Sequence, residues 1–320
     1  MSSADQACSW DTALGALSSP PPLLQSWGYG QVQALEGWAV ERLVLPGGAR
    51  ALVLLKGSGP FTWAYVPRGP VPATLEAVGW LGDWARERRL ARLRVEPETT
   101  VAFGEQLREL GFRAAPTFHP RHTRMVPLGA EDAMLASFKP KHRYNIRLAF
   151  RRGVTVQVGA EAAELRRQSR GTEQRQDIAL LSEAQYQRRL TLLAGCRTYV
   201  ARHDGQALAA ILVAWFSGRA YYLFGGSVGV KRELMPAYAV QWAAMRDAAR
   251  CGCRDYDLWG VPRGAADTEH PWHRLWQFKA GFGGEMVEYS GAWDLVLNHW
   301  ADRMESLAQG ARGLAGRLRR

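Results

Sequence analysis

Cysteine is scarce in this chain of 320 residues, which has four: Cys8, Cys196, Cys251 and Cys253. None of them forms a CxxC pair, which argues against a disulfide scaffold and against a four-cysteine zinc site. The scarcity indicates a reducing compartment, and we expect a cytoplasmic protein. Cys251 and Cys253 flank Gly252 at the predicted end of a helix, and we expect both to be buried thiols.

Long hydrophobic runs are also missing. The longest uninterrupted apolar run is Ala207–Phe216, about half of the roughly 20 residues that a membrane-spanning helix needs. We therefore expect a buried β-strand there and a soluble chain. Residues Met1–Trp10 contain no basic stretch followed by an apolar run, so no secretory signal is expected.

Basic residues are in excess, with 41 Lys and Arg against 30 Asp and Glu, a formal net charge of +11. Anions such as nucleic acid, phosphorylated substrates or an acidic membrane surface are the partners that this charge favours. Four arginines fall within Leu307–Arg320. We interpret that segment as a solvated terminal helix, and contact with an anionic membrane face or RNA is the alternative.

One order of predicted elements occurs twice along the chain. Each half reads as two strands joined by a turn, then a loop, a helix and a further strand. In the first half these are Ala51–Leu55, Phe61–Val66, the helix Thr74–Arg89 and Ala91–Val95. In the second half they are Leu208–Phe216, Ala220–Phe224, the helix Pro236–Arg250 and Arg254–Trp259.

This repeated order predicts an α/β (α+β) fold with mixed sheets and crossover helices. It is the order of an N-acetyltransferase-like (GNAT-like) domain, and the length suits two such domains in tandem. We expect residues 1–128 to form the first domain, with about residues 290–320 packing back on it. Residues 129–289 are expected to form the second.

Glycine is missing where an acyl-CoA enzyme of this fold needs it. The stretch Val230–Pro236, before the second crossover helix, contains no glycine, and Pro236 lacks a backbone N–H. Pro67–Pro70, the corresponding segment of the first half, is an equally poor binding loop for a pyrophosphate. Free N–H groups that cradle a pyrophosphate are therefore lacking, and the sequence indicates another activated acyl donor.

Short segments along the chain match one family pattern in order. They are Leu23–Trp27, Gly37-Trp38, Tyr65–Val71, Val95–Pro97, Lys141–Arg147, Gly153-Val154, Leu234–Tyr238, Tyr256–Val261, Phe278–Gly284 and Gly291–Val296. The set resembles the Fem family (FemA, FemB, FemX), whose members are aminoacyl-tRNA-dependent transferases that build peptidoglycan cross-bridges. The resemblance implies transfer of an amino acid from tRNA to an amine of a precursor stem peptide. The resemblance is to the short members of the family, which lack the coiled-coil arm.

The implied partners are aminoacyl-tRNA and a peptidoglycan precursor, either lipid II or a UDP-linked muropeptide. Contact with the inner membrane face and a monomeric state are also expected. Because an aminoacyl ester is already activated, its conversion to an amide needs no ATP, metal or cofactor. The enzyme must instead hold two anionic substrates together and stabilise the developing oxyanion.

The resemblance places Lys279 at the reaction centre, next to Phe278 and the glycine-rich turn Gly281–Gly284. An ammonium there can stabilise the tetrahedral intermediate or the leaving ribose oxygen. The alternative is a surface lysine beside a structural turn. We take Lys279 and Phe278 as the catalytic candidates.

The candidates for substrate binding lie in several segments. A predicted basic helix carries Arg143 and Arg147 four residues apart, where they share a face that can meet phosphates, and a solvated basic face is the alternative. Tyr222 matches a family tyrosine near the acceptor peptide, although a strand tyrosine is otherwise most often core. The full set is Lys141, Arg143, Tyr144, Arg147, Tyr186, Tyr222, Gln33 and Arg68.

Two positions depart from the family pattern. Gln33 stands where relatives that bind a diphosphate-linked precursor carry a lysine, and Leu181 and Ser182 stand where they carry an arginine. The loss of these two cations favours a lipid-linked precursor or a different mode of binding. The arginines that could compensate are Arg42, Arg68, Arg188 and Arg189.

Two other functions stay open at this point. One is an acyl-CoA-dependent N-acyltransferase, which binding of coenzyme A would reveal. The other is a non-catalytic RNA-binding protein, which would bind tRNA regardless of aminoacylation and form no product.

Overall fold

The computed structural model describes residues 3–18, 20–176, 181–262, 268–269 and 272–304. The chain divides into two compact units, Met1–Phe118 with Tyr289–Arg320 and His119–Glu288. In chain order the described elements are α1 (Ser3–Leu17), α2 (Trp27–Leu35), β1 (Ala39–Val44), β2 (Arg50–Lys56), β3 (Trp63–Arg68), α3 (Leu75–Glu87), β4 (Arg92–Pro97), α4 (Val101–Gln106), β5 (Arg113–Ala115), β6 (His122–Pro127), α5 (Glu131–Ser137), α6 (Pro140–Arg151), β7 (Thr155–Gly159), α7 (Ala162–Gln176), α8 (Glu183–Leu192), β8 (Arg197–His203), β9 (Gln206–Phe216), β10 (Arg219–Gly226), α9 (Pro236–Arg250), β11 (Asp255–Asp257), α10 (His273–Ala280), β12 (Glu285–Glu288) and β13 (Ala292–Val296).

The sheet of the first unit has the strand order β1-β2-β3-β4-β13-β5. β3 and β4 are parallel and the other neighbours are antiparallel, so α3 is the crossover helix between the parallel pair. Thr74 begins α3, because its hydroxyl accepts a hydrogen bond from the N–H of Ala77 at 3.1 Å. Val78 and Leu81 are fully buried against the strands. The helix and its sheet thus form one hydrophobic core.

β13 returns the chain from the second unit to the first. Its Asp294 lies opposite Arg94 of β4, and the guanidinium Nε and Nη2 both donate to the carboxylate at 2.6 Å. This bidentate pair is largely buried and holds β13 against β4, between β4 and the edge strand β5. The predicted terminal helix at residues 307–320 lies outside the described residues.

The sheet of the second unit has the order β12-β6-β11-β10-β9-β8-β7, and it repeats the layout of the first. β9 and β10 are antiparallel, β10 and β11 are parallel, and α9 is the crossover helix. The mixed α/β fold predicted from the repeat is therefore confirmed.

β9 is buried on both faces, which explains the long apolar run in the sequence. Ile211 and Val213 pack into the core on the α9 side, whereas Ala210 and Leu212 pack with α7 and α8 on the other side. The prediction of a buried strand is confirmed. None of the helices in the described part of the chain is long and apolar enough to cross a membrane.

Three local predictions need correction. The last predicted strand ends at Asp257 instead of Trp259, because the Asp257 carboxylate accepts from the Trp259 N–H at 2.7 Å and turns the backbone to a positive φ of 58°. Residues 119–128 were assigned to the first domain, but β6 is hydrogen-bonded to β11 and β12 in the second sheet. Cys253 is buried as expected, whereas Cys251 is exposed at the end of α9.

Candidate functional site

A cavity of about 350 Å³ lies in the second unit, where the parallel strands β10 and β11 end. The carboxyl ends of parallel strands are the usual place for ligands in sheets of this kind. Its walls are the last residues of β10, the first turns of α9, the turn at Trp259-Gly260 and the α10 residues Leu275, Phe278 and Lys279. The lining is mainly apolar, with few polar groups.

Lys279 is the cationic group of this cavity wall. Its side chain is only 5% exposed, and Nζ donates a hydrogen bond to the carbonyl of Gly260 at 2.8 Å. Nζ also lies 5.2 Å from the ring centroid of Tyr222. Burial lowers the pKa of Lys279 to about 7, and the charge of Asp257 opposes this shift. Near neutral pH the group therefore exists both as an ammonium and as a neutral amine.

The alternative of a surface lysine is thus excluded by the geometry. Lys279 and Phe278, both named from the sequence, lie together on the cavity wall. Their catalytic role stays a prediction.

Tyr222 of β10 lines the same cavity close to Lys279. Burial raises its pKa to about 12, a shift that a hydrogen bond with Gln241 partly offsets, so the phenol keeps its proton at neutral pH. Its hydroxyl needs the glycine at position 225. A Cβ placed on Gly225 would lie 2.4 Å from the hydroxyl oxygen and 2.9 Å from Ile211. The hydroxyl of Tyr222 is therefore held beside Gly225, while its ring lies near Lys279.

The end of α10 is tied to α6 by His142, a residue that the sequence analysis did not single out. The Nε2 of His142 lies 2.8 Å from the carbonyl oxygen of Phe278, and the N–H of Lys139 donates to the carbonyl of Gly281 at 2.9 Å. The His142 ring occupies the place of a side chain at Gly281, where a Cβ would lie 1.8 Å from Cε1. Burial lowers the pKa of His142, so the ring is neutral and Nε2–H is the donor.

The basic helix predicted from the sequence is α6, and its outer face lines a second cavity of about 670 Å³. We call this the basic groove and define it by Arg143, Tyr144, Arg147, Phe150 and Arg151. Tyr144 is 57% exposed and Phe150 is 40% exposed. Arg143 is held in place because Nη1 donates to the Phe138 carbonyl at 2.6 Å. Three of the predicted binding residues thus come together, with Phe150 and Arg151 in addition.

The remaining predicted residues lie elsewhere. Lys141 is exposed on α6. Tyr186 is fully buried, 5.5 Å from the ring of Phe224, with its hydroxyl 3.3 Å from that of Ser169. It therefore supports the Phe224 side of the cavity from behind instead of lining it. In the first unit, Gln33 is buried in α2.

Three of the four candidate compensating arginines lie close to aromatic rings. The guanidinium of Arg68 lies 4.3 Å from the Tyr289 ring, and that of Arg42 lies 3.7 Å from the Trp27 ring. Arg189 lies 5.7 Å from the ring of Phe224. Ser182, at one of the two departures from the family pattern, caps α8 by accepting from the Gln185 N–H.

Comparison with known proteins agrees with this architecture. The model of the FemAB family matches residues 192–309. The lipid II:glycine glycyltransferase of Staphylococcus aureus (strain MRSA252) is 23% identical over 376 aligned residues, which cover 86% of this chain and 88% of that protein. The protein of the same name from strain MSSA476 matches with the same identity and coverage.

Solved structures share the fold over most of their length. A crystal structure of FemX superposes with a TM-score of 0.81 at 21% identity, covering 93% of this chain and 98% of that one. A tandem GNAT protein from the clavulanic acid biosynthesis pathway gives a TM-score of 0.52 at 16% identity, covering 92% and 96%. The fold is thus that of the tandem GNAT-like proteins. Residues 192–309 match the FemAB family model, and most of the chain is similar to lipid II:glycine glycyltransferases and to FemX.

Proposed function

We propose that this protein is an aminoacyltransferase that moves an amino acid from aminoacyl-tRNA to an amine of a peptidoglycan precursor stem peptide. The observation that carries the proposal is the buried Lys279 on the wall of a mainly apolar cavity, with Nζ 5.2 Å from the ring of Tyr222. Ester aminolysis needs a site that excludes water and moves one proton, and these residues supply both requirements. The names of the curated relatives support the same reaction class.

In the proposed mechanism, Lys279 acts first as a base and then as an acid. The acceptor ammonium loses one proton to solvent, and its free amine attacks the ester carbonyl to give a zwitterionic tetrahedral intermediate. Neutral Lys279 then takes a proton from the new nitrogen. The resulting ammonium stabilises the oxyanion and passes that proton to the ribose oxygen as the C–O bond breaks. Lys279 returns to its neutral form, and one proton is released per turnover.

Transfer is expected to depend on pH through Lys279. Because its pKa is lowered to about 7, the ammonium predominates at lower pH and the neutral amine above. Since the mechanism starts from the neutral amine, kcat should fall about tenfold per pH unit below 7 and level off above it. The measurement is single-turnover transfer at saturating substrates across this range, with two acceptors whose amines differ in pKa. If the inflection followed the acceptor amine, Lys279 would not be the titrating base.

The basic groove is proposed to hold the RNA part of the donor. Exposed Arg147 and Arg151 can neutralise phosphates, and exposed Tyr144 and Phe150 offer rings on which bases can stack. Arg143, Arg147 and Arg151 lie four residues apart, so their side chains follow one side of α6 at a spacing of about 6 Å.

Replacing Arg147 or Arg151 by Gln should weaken tRNA binding and reduce its salt dependence by about one unit of log–log slope per arginine. The loss should be the same for charged and uncharged tRNA, because the contacts are with phosphates. Filter binding over a range of salt concentrations measures both effects. Arg202→Gln is the matched control, since Arg202 faces Glu161 on another element. If both groove variants kept the wild-type salt dependence of tRNA affinity, the basic groove would not be the RNA-binding surface.

The acceptor is proposed to be lipid-linked. Gln33 and Ser182 leave the two diphosphate-binding positions without cations, and the curated relatives are named for lipid II. A lipid-linked acceptor would bring the protein to the cytoplasmic face of the membrane.

The deciding experiment incubates the purified chain with tRNA pools charged with radiolabelled amino acids and with either lipid II or a UDP-linked muropeptide. The expected result is transfer of one class of label to lipid II. Binding of tRNA without transfer of label to either acceptor would contradict the proposed enzyme.

A further inference from the structure

The first unit carries a small cluster of exposed apolar side chains. Trp300 is 62% exposed and Met304 is 45% exposed, and they lie one helical turn apart. The ring of Phe61 lies 5.5 Å from that of Trp300. We call Phe61, Trp300 and Met304 the apolar corner.

The backbone holds this corner firmly. The N–H of Ala91 donates to the Thr62 carbonyl at 2.7 Å, and the Ala91 carbonyl accepts from the N–H of Leu297 at 2.9 Å. The helical turn at residues 299–304 therefore lies beside the segment that carries Phe61. It begins at Asn298, whose side-chain oxygen accepts from the N–H of Ala301 at 3.1 Å.

The opposite face of the same turn is anchored. Ala301 is fully buried, and the carboxylate of Asp302 accepts from Arg92 at 2.8 Å in a pair that is mostly shielded from solvent. Because this face is fixed to the sheet, Trp300 and Met304 are held outward. Their exposure is thus a property of the fold.

Two exposed cations accompany the apolar corner. Arg303 lies on the same helical turn as Trp300 and Met304, and Arg89 lies two residues before Ala91, whose N–H is bonded to Thr62 next to Phe61.

We propose that the apolar corner docks the protein onto an anionic phospholipid surface. An indole and a thioether can enter the interface between headgroups and acyl chains while Arg89 and Arg303 meet lipid phosphates. RNA could use the tryptophan and the arginines but offers no apolar partner for Met304, so the bilayer accounts for more of the residues. The purpose of docking rests on the proposed function, because a lipid-linked acceptor is confined to the membrane.

The test is flotation of the full chain with vesicles of phosphatidylcholine containing phosphatidylglycerol, compared with phosphatidylcholine alone. Wild type should bind the anionic vesicles, and more weakly as salt is raised. The double variant Trp300→Ser/Met304→Ser should lose about tenfold or more in partitioning. Arg303→Gln should lose about fivefold at low salt and less at high salt. Leu35→Ser is the matched control, because Leu35 is an exposed apolar residue of the same unit, 56% exposed on α2.

Several outcomes would overturn the proposal. One is equal flotation of the double variant and wild type, and another is failure of wild type to bind anionic vesicles. Loss of tRNA binding in the double variant would identify an RNA surface instead, and a change in oligomeric state would identify self-association.

The proposed function is tested separately in the same preparations. Transfer to vesicle-borne lipid II should fall in the double variant, while transfer to a soluble muropeptide fragment should not. An absence of transfer to both acceptors in wild type, with vesicle binding intact, would reject the function and leave the docking surface standing.

Discussion

Replacing Lys279 by Met is expected to abolish aminoacyl transfer while the protein becomes more stable. The Met side chain fills a similar volume but can neither take nor return a proton, so the loss of kcat should be about a thousandfold or more. The buried amine costs stability because its pKa falls from 10.5 to about 7 on folding. That shift corresponds to a few kcal/mol, offset by about 1 kcal/mol for the lost hydrogen bond to Gly260.

Lys279→Met should therefore lower kcat and raise the free energy of unfolding. In wild type the unfolded state binds more protons between about pH 7 and 10.5, so stability should rise with pH across that window, and Lys279→Met should lack this rise. Single-turnover transfer and denaturant unfolding at several pH values measure both effects. Lys231→Met is the control, because Lys231 is half-exposed and faces Asp204. Transfer at the wild-type rate by the variant would remove Lys279 from the mechanism.

The second large effect is expected at Gly281, where even one methyl group has no room. In Gly281→Ala the Cβ would lie 1.8 Å from His142, so either the ring or the end of α10 must move. Overpacking of this kind costs about 3 kcal/mol. Because Phe278 and Lys279 precede the displaced glycine, kcat should fall more than tenfold while tRNA affinity in the basic groove stays near wild type.

A double-mutant cycle tests the cause of that effect. In a His142→Ala background the methyl group that Gly281→Ala introduces has space, so its added cost should fall below about 1 kcal/mol, a coupling of about 2 kcal/mol. Gly79→Ala is the matched control, since no atom lies within 4 Å of a Cβ at this helical glycine, and it should stabilise by about 0.5–1 kcal/mol. Additive costs for positions 142 and 281 would show that the two side chains do not compete for one space. The conservative variant His142→Gln, which keeps an N–H donor, should retain more of kcat than His142→Ala.

His142 shows how much of the site could be read from the sequence. The charge run around it suggested an exposed basic face, either solvated or in contact with phosphates, and Lys141 and Arg147 are indeed exposed. His142, Asn145, Ile146 and Ala149 are nevertheless all buried, at the spacing of one helical face. This periodicity was a usable signal that His142 points inward, although its partner across the fold could not be inferred.

The repeated order of strands and crossover helices followed from local patterns: the apolar run of β9, Pro236 at the start of α9 and Thr74 at the start of α3. Such features depend on neighbours within a few residues, so the sequence alone determined them, together with the basic charge and the presence of Lys279 beside a glycine-rich turn. Tertiary structure alone decided that Lys279 is buried against Gly260 and Tyr222, that Tyr186 lies behind Phe224, and that Trp300 faces outward. Desolvation and exposure are set by residues distant in the chain, and no local pattern encodes which of them will meet.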